Sequence, residues 1–423
     1  MKIVTAADFK NETIETNVDM KSVLDDITLV RTKQDEGIQE LTKKYDGIDI
    51  TSEMILVSDE ERKAAYNAVT KKELEALKNA RNRIQWFCEK QRVYGWKEQT
   101  DIGEFGEIVL PVQRIGCYIP GGNYSLPSTV LMTVIPAQVA GVEEIVLCTP
   151  PRRKENRIIA NEAIVVAADL LGIKKIYKVG GIQAVAALAY GTETVPKVDK
   201  IIGPGNKYVS MAKKIVYGDV DIDFLAGPTE VLIIADESAN PDYIAADLIA
   251  QAEHDIDARP IVVTPSVNIA EKIILQVQKQ VSTCQNREIT EKSLENGGFV
   301  ILATSLEECF TIANEIAPEH IELMIAGSVN YMNLIKNAGS IFLGNYSTES
   351  LGDYASGTNH VLPTNKRART RGGLSVRDFV KVVSFQNITK NGIKKIGDTV
   401  VTLAKLESLD GHASSVKIRL KET

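Results

Sequence analysis

The sequence predicts an α/β protein with two doubly wound parallel sheets and a small, mostly helical C-terminal part. Three observations carry this expectation. Apolar runs too short for helices recur between turn residues, as in Val231–Ala235. Helical patterns separate these runs, and strands that alternate with helices form parallel sheets. Three of the connecting turns are glycine-rich. The totals agree, since 423 residues give room for about two to four domains with a large core. An apolar content of 44% and a charged content of 25% are an ordinary globular balance. The net charge of -7 argues against general nucleic-acid binding. The N-terminus shows no apolar h-region, and no apolar run reaches about 18 residues, so neither secretion nor membrane spanning is expected. The cysteines (Cys88, Cys117, Cys148, Cys284, Cys309) are scattered and form no CxxC, which suits a reducing cytoplasm.

In chain order, residues 1–50 read as short helices with a mixed-charge surface. Ser58–Arg92 reads as one long helical stretch. Ser58 followed by Glu61 is a capping-box pattern, and Ala65, Val69, Leu74, Leu77, Ala80 and Ile84 supply an apolar stripe. Tyr94–Val112 reads as extended, with a hairpin near Asp101–Gly106. From Arg114 the pattern becomes strand, Gly-Gly turn and apolar helix, then a strand in EEIVLCTPP, then a helix over Asn161–Leu171 ending at Gly172. KKIYKVGGIQAVAALAYG and DKIIGPGNKYVSMAKKIVYG repeat strand, glycine turn and helix. After Val231–Ala235, Asn240 is a good N-cap with Pro241 at the first helical position, and the helix runs to about His254. RPIVVTPS and GGFVILATS are further strands around a helix over Ile269–Val281. A helix over Ser305–Ile316 must end before Pro318. GSIFLG is the next strand, followed by a long polar loop, NYSTESLGDYASGTNHVLPT, of the kind that is commonly functional. The basic cluster Lys366, Arg367, Arg369 and Arg371 reads as a solvated loop, with a substrate- or phosphate-facing loop as the alternative.

In doubly wound sheets the turns after the strands' carboxyl ends form the ligand crevice. Glycine there lets backbone N–H groups and helix N-termini approach a phosphate. Gly203-Pro204-Gly205 opens like a dinucleotide fingerprint, but Tyr208 stands at its third glycine, so nucleotide binding and plain tight turns both remain open. Four histidines exist: His254, His320, His360 and His412, each beside carboxylates, amides or turn residues. Asp247, Gln251 and His254 share one polar helix face, which could hold a metal or be a solvated helix end. His254, Asp353 and His412 would supply three zinc ligands from separate segments, without any HExxH. Glu319-His320 follows a proline turn and is a plausible pair of general bases; a first-turn glutamate beside an exposed histidine is the alternative.

Taken together, these segments resemble the histidinol dehydrogenase family from about Val30 to Leu420. The motifs are YIPGG at 118–122, STVLM at 128–132, VGGIQAVAALAYGTE at 179–193, KIIGPGN at 200–206 and AGPTEVLIIAD at 226–236. AQAEHD at 250–255, APEHIEL at 317–323, GDYASGTNHVLPT at 352–364 and LDGHASSVKIRL at 409–420 complete them. The resemblance implies zinc-dependent, NAD-linked oxidation of L-histidinol through L-histidinal to L-histidine in a cytoplasmic homodimer. It implies Gln251, His254, Asp353 and His412 as zinc ligands, the last from the partner subunit, and Glu319 and His320 as the acid/base pair. It implies Tyr118, Gln183 and Asn206 as NAD contacts. It implies Thr229 and Glu407 as substrate contacts, joined by Gln251, His254, His320, Asp353 and His412. The two sheets would be Rossmann-like. Residues 22–117 with 229–364 would form the zinc and substrate domain, and 118–228 an NAD-binding domain. Residues 1–21 and 365–423 would form dimerisation segments, with Glu407 and His412 reaching the partner.

Three rivals accompany this reading. A relative acting on another small alcohol, such as a sulfonated diol, would share the sheets and motifs, but Glu407 suits a substrate ammonium and repels a sulfonate. A zinc hydrolase would leave the glycine turns unused. A non-catalytic metal-binding module would leave Glu319-His320 without a task.

Overall fold

The computed structural model describes residues 1–9, 18–121 and 125–421. The expected fold class is present as two all-parallel sheets of five and six strands. The five-stranded sheet is ordered Asp221–Ile222, Lys200–Ile202, Arg114–Tyr118, Glu144–Thr149, Ile176–Lys178. Its strand order reverses between Arg114–Tyr118 and Lys200–Ile202, so a crevice opens there at the strands' carboxyl ends. The six-stranded sheet is ordered Lys2–Thr5, Phe299–Leu302, Arg259–Thr264, Glu230–Ala235, His320–Met324, Ser340–Leu343.

Both sheets are buried on both faces, which is why their strands read as continuous apolar runs. In Glu230–Ala235 alternate residues enter separate cores: Val231, Ile233 and Ala235 face helices Pro241–Ala252 and Val267–Val281, while Leu232 and Ile234 face Leu306–Ile316. The five-stranded sheet divides its side chains in the same way between two clusters.

Several elements differ from the sequence expectation. Ser58–Arg92 is two helices, Asp59–Ala68 and Lys71–Lys90. Thr70 starts the second with a complete capping box to Glu73. Ser58 does cap the first, but the Glu61 side chain leaves its helix to bind Ala160 N–H and Lys178. Lys2–Thr5 pairs in parallel with Phe299–Leu302 as the edge of the larger sheet, so residues 1–21 are not only a dimerisation segment. Helices Met20–Lys33 and Asp35–Asp46 pack on Gly181–Tyr190, and Lys71–Lys90 packs on Pro127–Ala140. The helices within residues 20–90 therefore cover the smaller sheet, while Trp96–Pro111 pairs with the C-terminal strand. That sheet begins at Arg114, not at 118. The sequence could not show this, because both sheets offer equally apolar faces.

The C-terminal part starts with strand Val380–Ile388, which pairs antiparallel with Gly103–Pro111, the middle strand of a sheet completed by Trp96–Gln99. Helices Lys390–Leu406 and Asp410–Lys421 then pack on each other. No described helix is long and apolar enough to cross a membrane.

Two features join the sheets. Residues 223–229 alone connect the last strand of the smaller sheet to Glu230–Ala235. Helix Pro127–Ala140 contains Pro136, which has no N–H for the Met132 carbonyl. Asn359 Nδ2 donates to that carbonyl at 2.7 Å, tying the 355–364 loop to the smaller sheet's helical layer.

Candidate active site

A cavity of about 200 Å³ lies between the two sheets. Thr229, His254, Glu319, His320, Asp353 and His360 line one side, and Pro204, Gly205 and Phe224 line the other. The smaller sheet presents its carboxyl ends to this space, as the crevice rule requires. The larger sheet presents its amino ends: Thr229 precedes strand Glu230–Ala235, and Glu319 precedes His320–Met324.

Adjacent strands place these residues together, since Val231 pairs with His320 in register. Glu319 Oε2 accepts from Thr229 Oγ1 at 2.5 Å and from Glu230 N–H at 2.9 Å. His320 lies 3.0 Å from the Glu230 carbonyl through Nδ1. A carbonyl only accepts, so Nδ1 carries a proton and donates. The other ring nitrogen, Nε2, is buried without a hydrogen-bond partner and lies 3.6 Å from Asp353 Oδ1. His320 is thus the buried first residue of a strand, not the exposed histidine of the alternative reading.

Electrostatics at the pair are strongly perturbed. Burial, the largest influence, pulls the His320 pKa down, but Glu319, Asp353 and Glu349 together outweigh it and hold it well above its ordinary value. Burial raises Glu319, with His320 and the Thr229 hydroxyl opposing. Glu230, buried beside Arg259 at 3.2 Å, is raised to about 7 by burial and by Glu319. Burial also raises Asp247, Glu322 and Glu349, and the last two repel each other.

Helix Pro241–Ala252 delivers Gln251 from its last turn, with His254 just beyond its end and exposed to the cavity. Gln251 is 1% exposed. Asp353 comes from a six-residue helix, Glu349–Tyr354, inside the stretch read as a polar loop. His360 donates through Nδ1 to the Asp353 carbonyl at 2.8 Å, leaving Nε2 facing Thr129 Oγ1 at 3.3 Å.

The residues fit a zinc ion. Amide oxygen, imidazole and carboxylate are suitable donors. The unpartnered His320 Nε2 beside Asp353 marks a polar space that the protein alone leaves unsatisfied. Among the described residues no three His, Cys, Asp or Glu side chains of one chain form a complete metal cluster. Glu407 and His412 do not reach the cavity; both are exposed on the C-terminal helical pair.

The cofactor candidates lie at the smaller sheet's carboxyl ends. The Tyr118 hydroxyl accepts from Gly181 N–H at 3.2 Å, and burial pushes its pKa up to about 12. Gln183 is buried, with Nε2 3.4 Å from Asp46 and Oε1 without a partner. Asn206 caps helix Lys207–Val216, accepting from Tyr208 and Val209 N–H. Gly203 has φ +118°, and a Cβ there would sit 2.2 Å from the Tyr118 carbonyl oxygen. Under that turn Lys213 donates to the Gly203 carbonyl at 3.0 Å and pairs with buried Asp223, which accepts from Gly203 N–H at 2.8 Å. The unsatisfied buried amide oxygen of Gln183 and the helix N-terminus at Asn206 fit a dinucleotide. Residues 122–124 of the first glycine turn lie outside the described residues.

Sequence reasoning missed Glu349, Glu322 and the Lys213–Asp223 pair. The four-residue spacing of Glu349 and Asp353 was a readable signal for the first. Arg371 of the basic cluster is not simply solvated: it binds the Asp223 carbonyl and Asp378, at 2.6 Å for the latter.

Comparison with known proteins gives the same direction as the geometry. The family model described as histidinol dehydrogenase matches residues 9–420. A histidinol dehydrogenase of Methanocaldococcus jannaschii is 48% identical over 404 residues, covering 95% of this chain and 92% of the relative. One from Caldanaerobacter subterraneus subsp. tengcongensis is 49% identical over 399 residues, covering 94% and 92%. The crystal structure of histidinol dehydrogenase from Elizabethkingia anophelis superposes with a TM-score of 0.92 at 42% identity, covering 97% of this chain and 94% of that one. The chain belongs to the histidinol dehydrogenase family, NAD-linked oxidoreductases that convert histidinol to histidine.

Proposed function

We propose that the cavity between the sheets is where L-histidinol is oxidised through L-histidinal to L-histidine. One observation carries the reading: Glu319 and His320 line the same cavity as the Pro204–Gly205 turn. His320 Nε2, free of any partner, takes the proton of the substrate hydroxyl as hydride leaves carbon. Glu319, held by Thr229 and Glu230 N–H, then draws a proton from water as it attacks the aldehyde. NAD, when bound, accepts a hydride in each oxidation. Tyr118, Gln183 and Asn206 are the proposed contacts to it.

Gln251, His254 and Asp353 are the proposed zinc ligands. When bound, zinc would hold the substrate's nitrogens in place and add positive charge that opposes protonation of His320. His412 and Glu407, exposed on one chain, would complete the site of a second copy, making the enzyme a homodimer. Glu407 would then meet the substrate ammonium. The five unpaired thiols accord with a cytoplasmic setting.

Two experiments test these assignments. Histidinol-dependent NADH formation should disappear on chelation and return with zinc; unchanged activity in metal-free protein would remove zinc from the reading. Mixing inactive His412→Asn and Glu319→Gln proteins, after dissociation and reassociation, should restore about a quarter of wild-type activity if sites are shared across a two-fold dimer. No recovery in verified hybrid dimers would place His412 outside the partner's site.

A further inference from the structure

We propose that Glu349 is a positioning residue that sets which end of the Gln251 amide meets the zinc site. The inference rests on the zinc reading above and extends it to a residue without any assigned role.

Glu349 is 2% exposed and Gln251 is 1% exposed, so neither can turn to solvent for a partner. A primary amide has a donor end and an acceptor end, and only its carbonyl oxygen has a lone pair to give a metal. With Nε2 toward Glu349, Gln251 donates to the two carboxyl oxygens at 2.7 and 3.0 Å. Its Oε1 then accepts from Glu230 N–H at 3.2 Å and lies beside the Thr229 hydroxyl, whose one proton goes to Glu319, on the side where Thr229 lines the cavity. The reverse orientation lets Nε2 donate to Thr229 Oγ1, but it sets the amide oxygen against both carboxyl oxygens and the amide nitrogen against the Glu230 N–H. Each buried mismatch of that kind costs about 1–3 kcal/mol. A carboxyl group offers the amide an acceptor oxygen in either protonation state.

Glu349 is itself fixed. Its N–H donates to Glu322 Oε1 at 2.8 Å, and Thr348 Oγ1 donates to Asp247 Oδ1 at 2.8 Å, which anchors the start of helix Glu349–Tyr354. Asp353 lies one turn along the same helix. Gln251 and Asp353, ligands from distant segments, are thereby set against each other through four residues of chain.

The test is zinc affinity, read by competition with a chromophoric chelator. Glu349→Met and Glu349→Ala remove the acceptor but differ in packing, and the variant with wild-type circular dichroism is the one read. Either should weaken zinc binding by about 10–100-fold, as losses around metal ligands do. Glu349→Gln keeps an acceptor oxygen for the Gln251 amide and should recover most of the affinity, which a role in folding alone would not predict. Gln251→Ala is the reference. If it loses zinc while the folded Glu349 variant does not, the positioning role is overturned and the zinc site stands. Unchanged affinity in Gln251→Ala overturns the ligand assignment, and the positioning role falls with it.

Discussion

Replacing Glu319 by glutamine should separate the two oxidations. Glu319 Oε2 accepts from the Thr229 hydroxyl at 2.5 Å and from Glu230 N–H at 2.9 Å. Glutamine can keep an oxygen at that position, so both bonds survive as neutral ones. The change from charged to neutral acceptor costs about 1 kcal/mol per bond. Removing a nearly buried charge offsets that cost, so stability should shift by no more than about 2 kcal/mol. The catalytic loss is larger. A general base contributes about 10²–10⁴-fold, which is about 3–5 kcal/mol of barrier. With His320 proposed for the alcohol step, the loss should fall on the aldehyde step. Stopped-flow NADH absorbance, with enzyme in excess over histidinol, reads both hydride transfers. The variant should keep the first phase nearly at the wild-type rate and lose the second. An equal slowing of both phases would refute the division of labour between Glu319 and His320.

Other expectations follow from the same geometry. Gly203→Ala forces a side chain into a φ of +118° and against the Tyr118 carbonyl, so it should cost at least about 2 kcal/mol in urea unfolding and weaken NAD binding. A wild-type midpoint would show that the turn relaxes freely. Glu230 is raised from 4.5 to about 7 in the folded protein, so the native state holds its proton where the unfolded state has lost it. Its contribution to stability is therefore full below pH 4.5 and lost as pH rises to about 7, by up to about 3 kcal/mol. Unfolding measured against pH should show a shallower fall between those values in Glu230→Gln; an unchanged slope would mean that the carboxyl is ionised throughout. Lys213→Met leaves Asp223 buried without its cation and should destabilise by about 3–5 kcal/mol, while Lys213→Met with Asp223→Leu should recover much of that. A double variant no better than the single one would refute that account.

The sheets were legible because their strands are apolar on both faces and their turns carry glycine. Asn240-Pro241 marked the start of helix Pro241–Ala252 correctly, and the Gln251–His254 spacing placed both residues at its end. What the sequence hid was set by distant partners. Lys2–Thr5 is a strand only because Phe299–Leu302 offers it an edge. Glu349–Tyr354 is too short for helical periodicity, and its start is held by Glu322 and Asp247 from elsewhere in the chain. The division of helices between sheets depends on matching shapes that composition does not encode. Family likeness, rather than local pattern, supplied the substrate role of Glu407 and the partner-subunit origin of His412. One chain shows both in solvent.

The opposed polarity of the two sheets has a mechanical consequence. The chain finishes one sheet and begins the next across residues 223–229, so the reaction chamber is the gap along one continuous thread. Its width is limited by contour length: seven residues reach at most about 25 Å when fully extended. The walls are also tied by Asn359 Nδ2, which donates to the Met132 carbonyl at 2.7 Å, and by Thr364 Oγ1, which accepts from Gly227 N–H at 2.6 Å. The gap is therefore held jointly by the length of the tether and by these side-chain ties. Phe224, Ala226, Gly227 and Thr229 are both tether and wall. An insertion in this tether would act on the gap only together with those ties.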